Sequence, residues 1–487
     1  MRRLILPVLL LAVVIAAGVL AERASRSADP GDAVATGADD SLTTPIINAR
    51  RAPEWLRRPT SNREFEAALM SILDPPEVAA ARCLRVHRNG IEIAVEAPTL
   101  RLVPAELQRL VTIAAVEGLG EDTTFVTKVV GNSANEVSDG ILEGDIWLVG
   151  GGDPVLSTDQ YLTRFSDQRA ATSLDQLAAN LAAELRRRGI SEIAGGVVGD
   201  EFRFSPSETD YVGTVWSETD NADNVVGPLS GLLVNDGFIW DSETATVTRS
   251  EDPAAMAAAT LSDLLVRRGI ALGAPATTGE QPPSAQQQLL ASIESPPIAE
   301  IAQRALIDGT TAEMLFKEVG RVNGLSSASN DAAFGMLVTL VERGLPVEGS
   351  LPLDGSGLSS ANRVTCDLLM AILEQRSAGG IVDAALHDIG EGALAPCAPS
   401  DGPAMRVISA DRGQVTALVG EMVADNGEAI TFVQVANAAP AAPGALGPCN
   451  TIQTNLLEAV ARYPYGYGPE LDAISPLAVA PASDTVG

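Results

Sequence analysis

Hydrophobic and polar positions alternate along this chain in two periods, and the period in each stretch predicts its element. Asn62 to Leu73 carries apolar residues at helical spacing. Cys83–His87 and Ile91–Val95 alternate in strand fashion around Asn89-Gly90, the dipeptide favoured in tight hairpins. A helical stretch from about Ala105 to Glu117 stops at Gly118-Leu119-Gly120. Strand-like and helix-like pieces then alternate for some 150 residues. Phe125–Val130, Ile146–Val149 and Gly196–Gly199 read as strands; Leu174–Arg188 and Pro253–Arg268 read as helices. Residues 273–288, rich in Pro, Gln and Thr, read as a boundary loop. Helical spacing returns at Ile298–Leu306, Thr310–Val322, Asp331–Arg343 and Arg363–Glu374. Strands follow at Arg406–Ala410, Val415–Val423 and Ala429–Ala436, with Asn426-Gly427 as the last turn. A final helix covers Thr451–Arg462. The pattern is that of an α+β protein with helices grouped against antiparallel strands.

The two ends differ from the middle. Arg2 and Arg3 precede an apolar run from Leu4 to Leu20, and Val19-Leu20-Ala21 has the spacing of a signal-peptidase site. Residues 1–21 therefore read as an export signal or, as the second choice, an uncleaved N-terminal membrane anchor. Residues 22–59 read as a linker, and the Pro/Ala-rich residues 466–487 as a loose tail. The chemistry of the middle fits an extracytoplasmic location. Four cysteines, Cys83, Cys366, Cys397 and Cys449, allow two disulfides in three pairings.

Of 487 residues, 63 are acidic and 33 cationic, a net charge of −30 that repels nucleic acid. Lys128 and Lys317 are the only lysines, His87 and His387 the only histidines. Histidine-rich metal sites are thereby excluded, and no cofactor motif is present. His87 is expected on a strand surface and His387 in a loop or at a helix end.

Three segments carry a family resemblance. They are Gly144-Asp145-Ile146-Trp147-Leu148-Val149-Gly150-Gly151-Gly152-Asp153-Pro154, Pro228-Leu229-Ser230-Gly231-Leu232 with Asn235-Asp236-Gly237, and Asp354-Gly355-Ser356-Gly357-Leu358-Ser359 with Asn362-Arg363-Val364. In this order they resemble the class C low-molecular-mass penicillin-binding proteins, of the D-alanyl-D-alanine carboxypeptidase/endopeptidase type. The resemblance implies a penicillin-binding/β-lactamase-like transpeptidase domain. It would be discontinuous, over 60–129 and 289–465, with mixed α/β insertion over 130–288.

The resemblance also implies three catalytic motifs, and all three are degenerate here. Where Ser-x-x-Lys is expected, after Pro104-Ala105, stand Glu106 and Arg109. Glutamate has no hydroxyl, and arginine, with a pKa above ~12, is no neutral base. The two are expected to form an i,i+3 ion pair. Where Ser-x-Asn is expected stand Ile307-Asp308-Gly309. Where Lys-Thr-Gly is expected stand Ile408-Ser409-Ala410, with Asp411-Arg412-Gly413 as the gapped alternative. No Ser-x-x-Lys occurs anywhere in the chain.

Asp354, Ser356 and Arg363 remain as candidate binding residues, although the glycines around them also describe a tight turn. Arg363 is expected to pair with a carboxylate inside the fold. The first functional reading is a non-catalytic relative in the cell envelope, bound to peptidoglycan peptide or an envelope protein. The second is an active serine-type carboxypeptidase/endopeptidase working through unrecognised residues.

Overall fold

The computed structural model describes residues 52–72, 80–166, 169–204, 216, 225–325, 328–400, 402–438, 448–464 and 466. The export signal, most of the linker and nearly all of the tail lie outside these. In chain order the main elements begin with α1 (Ala52–Ile72), β1 (Ala80–Arg88), β2 (Ile91–Glu96) and α2 (Gln108–Val116). Next come β3 (Val126–Asn132), β4 (Ile146–Val149), α3 (Leu174–Arg187), β5 (Val197–Asp200), β6 (Phe238–Asp241) and β7 (Thr246–Arg249). They continue with α4 (Pro253–Arg267), β8 (Thr277–Thr278), β9 (Gln287–Glu294), α5 (Ile298–Ala305), α6 (Gly309–Val322), α7 (Ser329–Glu342) and α8 (Cys366–Gln375). The last are β10 (His387–Asp388), β11 (Met405–Arg412), β12 (Val415–Val423), β13 (Ala429–Ala438) and α9 (Thr451–Ala461).

Two sheets organise these elements. One is six-stranded and antiparallel, in the order β10-β11-β12-β13-β1-β2. The period-2 pattern sends its alternate residues to two separate cores. Ile408, Ala410, Ala417, Val419, Val433 and Val435 pack with the buried faces of α2, α5, α6, α7 and α8. Val407, Leu418, Met422, Ile430 and Phe432 pack on the other side against Phe65 and Leu69 of α1 and Ile452, Leu456 and Val460 of α9. The sheet is thus buried on both faces between helices.

The second sheet is five-stranded and mixed, in the order β8-β5-β4-β3-β9. β4, β5 and β8 run parallel, connected through α3 and α4, while β3 and β9 are antiparallel additions. In α3 the buried positions Leu174, Leu177, Ala178, Leu181, Ala182 and Leu185 form one stripe, capped by Ser173 accepting from Gln176 N. In α4 Asp252 caps the helix and Pro253 opens it. Both helices pack on Val129, Ile146, Leu148 and Val197.

Some elements differ from the sequence expectation. The strand Gln287–Glu294 begins inside the stretch read as a boundary loop. It is an edge strand in which only Leu290 is fully buried, with Ala291 and Ile293 partly so, and exposed Leu289 beside Leu290 breaks the apolar alternation. The helix predicted from Asn62 starts earlier, at Ala52, and the one predicted from Arg363 starts at Cys366, where Thr365 supplies the cap. His87 is not on the surface: it is 6% exposed, with Nδ1 2.5 Å from Glu374 Oε1 on α8. Its strand is central, between β13 and β2, and faces α8. His387 lies exposed on the short edge strand β10.

Candidate functional site

The first motif position is a turn ahead of α2. Ala105 adopts φ +50°, and Ala105–Leu107 forms a single 3-10 turn lying against β11 and β12. Glu106 projects from this turn. It does not pair with Arg109: the Arg412 Nη1 of β11 lies 2.8 Å from Glu106 Oε1 instead. Both side chains are about one-third exposed.

Arg109 points the other way, into the protein, and is 8% exposed. Its Nε donates to the Ser356 carbonyl and its Nη1 to the Leu306 carbonyl, each at 3.0 Å. Burial holds its pKa below the ordinary arginine value, against the pull of Glu106, Asp308, Glu313 and Asp354. The expected i,i+3 pair fails because a buried guanidinium gains more from two inward carbonyls than from an exposed carboxylate.

The second motif position ends α5 and opens α6. Ile307 is 65% exposed. Asp308 caps α6, accepting from the backbone N–H groups of Thr310 and Thr311. Its other oxygen takes Arg304 Nε at 3.0 Å, and Arg304 Nη2 reaches Asp236 Oδ1 at 2.6 Å. Tyr161 donates its hydroxyl to Asp236 at 2.9 Å. Asp236 is pushed up to about 6, by burial first and by Asp308 second. This chain of buried polar groups joins the second motif position to the Asn235-Asp236-Gly237 segment.

The third motif position lies along β11. Ile408 and Ala410 face the helical core and Ser409 is half-buried. Asp411 accepts from Thr416 Oγ1 and Gln453 Nε2, so of the gapped alternative only Arg412 reaches the first motif.

The Asp354–Ser359 loop fastens these positions together. Gly357 has φ +87°, and a Cβ there would lie 2.1 Å from the Ala105 carbonyl oxygen. Gly355 packs as closely on α6, 2.4 Å from the Ala312 carbonyl oxygen by the same measure. Two buried carboxylates hold the loop. Asp354 accepts from Gly357 N, Ser359 N, Asn362 Nδ2 and Trp216 Nε1. Glu313 Oε1 accepts from Gly355 N at 3.0 Å and Ser356 N at 2.7 Å. Burial, with the neighbouring Asp354 charge second, pushes Glu313 up to about 8. Asp354 and Ser356 are themselves buried, at 1% and 0% exposure. Arg363 pairs with no carboxylate among the described residues; it donates to the Ser360 and Asn362 carbonyls. The local backbone turns those carbonyls toward it, which takes up its donors in place of the expected acid.

A cavity of about 350 Å³ opens where these parts meet. Ala105, Gly357, Leu358, Ser359, Ser360 and Arg412 line it. Sequence reasoning did not single out Glu313 or Arg304. Nothing in a helical apolar pattern separates a buried acid from an exposed one, so the signal came only with the loop packed on α6.

The sequence model of the D-Ala-D-Ala carboxypeptidase 3 (S13) family matches residues 66–246 and 241–451. A carboxypeptidase of Mycobacterium tuberculosis is 26% identical over 367 residues, covering 72% of this chain and 74% of its own. Carboxypeptidase DacB of Mycolicibacterium smegmatis is 25% identical over 481 residues, covering 93% and 94%. Among solved structures, penicillin binding protein 4 (dacB) of Haemophilus influenzae superposes with a TM-score of 0.63 at 17% identity, covering 82% of this chain and 98% of its own. That last likeness is one of fold.

Proposed function

The chain belongs to the D-Ala-D-Ala carboxypeptidase 3 (S13) family, and from that premise we propose that it is an exported, non-catalytic member acting as a peptidoglycan-associated or protein-binding module of the cell envelope. The observation carrying this reading is the use made of the first motif. Glu106 is engaged across the cleft by Arg412, and Arg109 is buried on two carbonyls. Neither supplies what acyl transfer needs, a hydroxyl nucleophile with a neutral base one helical turn on. The second and third positions offer no replacement, since Asp308 is committed to a helix cap and Arg304, and Ile408 and Ala410 face the core.

The cavity beside this pair keeps the scale of a ligand site. It can receive a peptide of the wall, or the loop of an envelope protein, without cleaving it. Disulfides Cys83–Cys366 and Cys397–Cys449 support an oxidising, extracytoplasmic location. On this reading the stretches 60–129 and 289–465, less the ends of β3 and β9, are the transpeptidase-like body, since all six strands of the larger sheet come from them. The insertion between them takes in all of Val126–Glu294, a few residues beyond 130 and 288 on each side.

Intact-mass measurement after incubation with excess benzylpenicillin, beside an active member of the family, tests the proposal. No gain in mass is expected. A one-to-one adduct, mapping for instance to Ser359 or Ser360 at the cavity, would overturn it, as would release of D-alanine from a pentapeptide.

A further inference from the structure

We propose that a second cavity, between the β6–β7 hairpin and α4, is a saccharide site that takes an N-acetylated amino sugar of a glycan strand. The choice of glycan rests on the peptidoglycan-associated reading above. The cavity measures about 250 Å³ and lies in the second sheet's part of the molecule; its lining includes Tyr161, whose hydroxyl bonds the Asp236 of the polar chain that leads to the second motif position. It is smaller than the ~300–1,000 Å³ that drug-sized ligands occupy, and suits one ring projecting from a chain.

Its lining combines two kinds of surface. Phe238, Trp240 and Leu264 give an apolar wall. Gln160, Asp263 and Arg267 give a polar rim. A pyranose ring matches that combination, with an apolar C–H face and an edge of hydroxyls, and its acetamido group adds a donor and an acceptor. Arg164 lies 5.0 Å from the Trp240 ring centroid and braces the indole. Trp240 Nε1 is itself sealed from solvent, so the indole contributes apolar surface, and not its N–H, to the cavity.

Asp263 and Arg267 sharpen the argument. They stand one turn apart on α4, at the spacing that favours an ion pair, yet they form none with each other or with any other described residue. Both are exposed. The third charged group of the lining, Asp175, is held by Arg268 at 3.6 Å, so the rim presents an unpaired acceptor and an unpaired donor fork, which is complementary to hydroxyl and amide groups. The protein's charge of −30 further disfavours an anionic polymer here.

The test titrates the full-length chain with the N-acetylglucosamine tetramer, read by calorimetry and by tryptophan fluorescence. Saturable binding is expected. The double variant Asp263→Asn/Arg267→Gln, which alters only exposed side chains, is expected to bind at least about ten-fold more weakly with an unchanged melting temperature. Trp240→Phe is expected to weaken binding as well. Absence of saturation up to about 10 mM, or equal binding by the double variant, overturns the proposal. So does capture of a wall stem peptide in place of the tetramer, if the double variant abolishes it. Pelleting with purified peptidoglycan separates this from the broader reading. If wild type and double variant pellet equally, the cavity proposal fails and the module reading stands. If wild type does not pellet but binds the tetramer through Asp263 and Arg267, the reverse holds.

Discussion

At the scale of single residues, Glu106 and Arg109 have opposite fates although they are three positions apart. One faces the cleft in a partly exposed pair; the other is a buried cation on two carbonyls. Exposed pairs contribute ~1 kcal/mol or less, because water screens them and two side chains must be ordered. A buried donor whose loss strands two acceptors matters more. Glu106→Ala is therefore expected to change the unfolding free energy by less than about 1 kcal/mol, and Arg109→Ala to lower it by about 2–4 kcal/mol. Urea denaturation followed by circular dichroism reads both. Similar losses in the two variants would mean that Arg109 does not hold the loop and α5 as described.

At the scale of elements, the Asp354–Ser359 loop and α6 are joined through Glu313, whose carboxyl titrates far from its usual range. Its pKa rises from 4.5 to about 8 in the folded protein because burial, and then Asp354, disfavour the charge. The folded state thus holds a proton that the unfolded state releases near pH 4.5. The stabilisation is complete below that pH and is lost as pH rises toward about 8. Glu313→Gln keeps an oxygen for Gly355 N and Ser356 N but cannot ionise. The melting temperature of the variant relative to wild type is expected to climb from pH 4.5 to 8, and a pH-independent difference would count against a buried, proton-holding Glu313. Much of this region was legible in the sequence, for stated reasons. The helical stripes and the β11–β13 alternation each reflect burial at a fixed period, so Thr310–Val322 and Val415–Val423 could be read directly. Gln287–Glu294 could not, because this edge strand buries only Leu290 fully and its ladder to β3 carries much of its placement. The partners of Glu106, Arg109, Glu313 and His87 were equally hidden, since each lies on an element distant in sequence.

At the scale of the whole molecule, the sequence left three disulfide pairings open, and contact between distant elements decides among them. Cys83 on β1 meets Cys366 at the start of α8, across 283 positions, and Cys397 meets Cys449 across 52. The first pair ties the N-terminal hairpin to the helical layer, and both its cysteines are fully buried. A cross-link stabilises chiefly by removing conformations from the unfolded chain, and the effect grows with the logarithm of the loop it closes. On that basis the Cys83–Cys366 link contributes about 1.5 kcal/mol more than the Cys397–Cys449 link. The buried position of the first pair adds a packing loss in the same direction. Cys83→Ala/Cys366→Ala is accordingly expected to lose more stability in urea than Cys397→Ala/Cys449→Ala. The reverse order would mean that the unfolded chain is held together by something other than the longer link. The comparison also bears on location. If either double variant falls below the threshold for folding, the protein depends on an oxidising compartment, which is the condition an envelope module meets and a reducing cytoplasm does not.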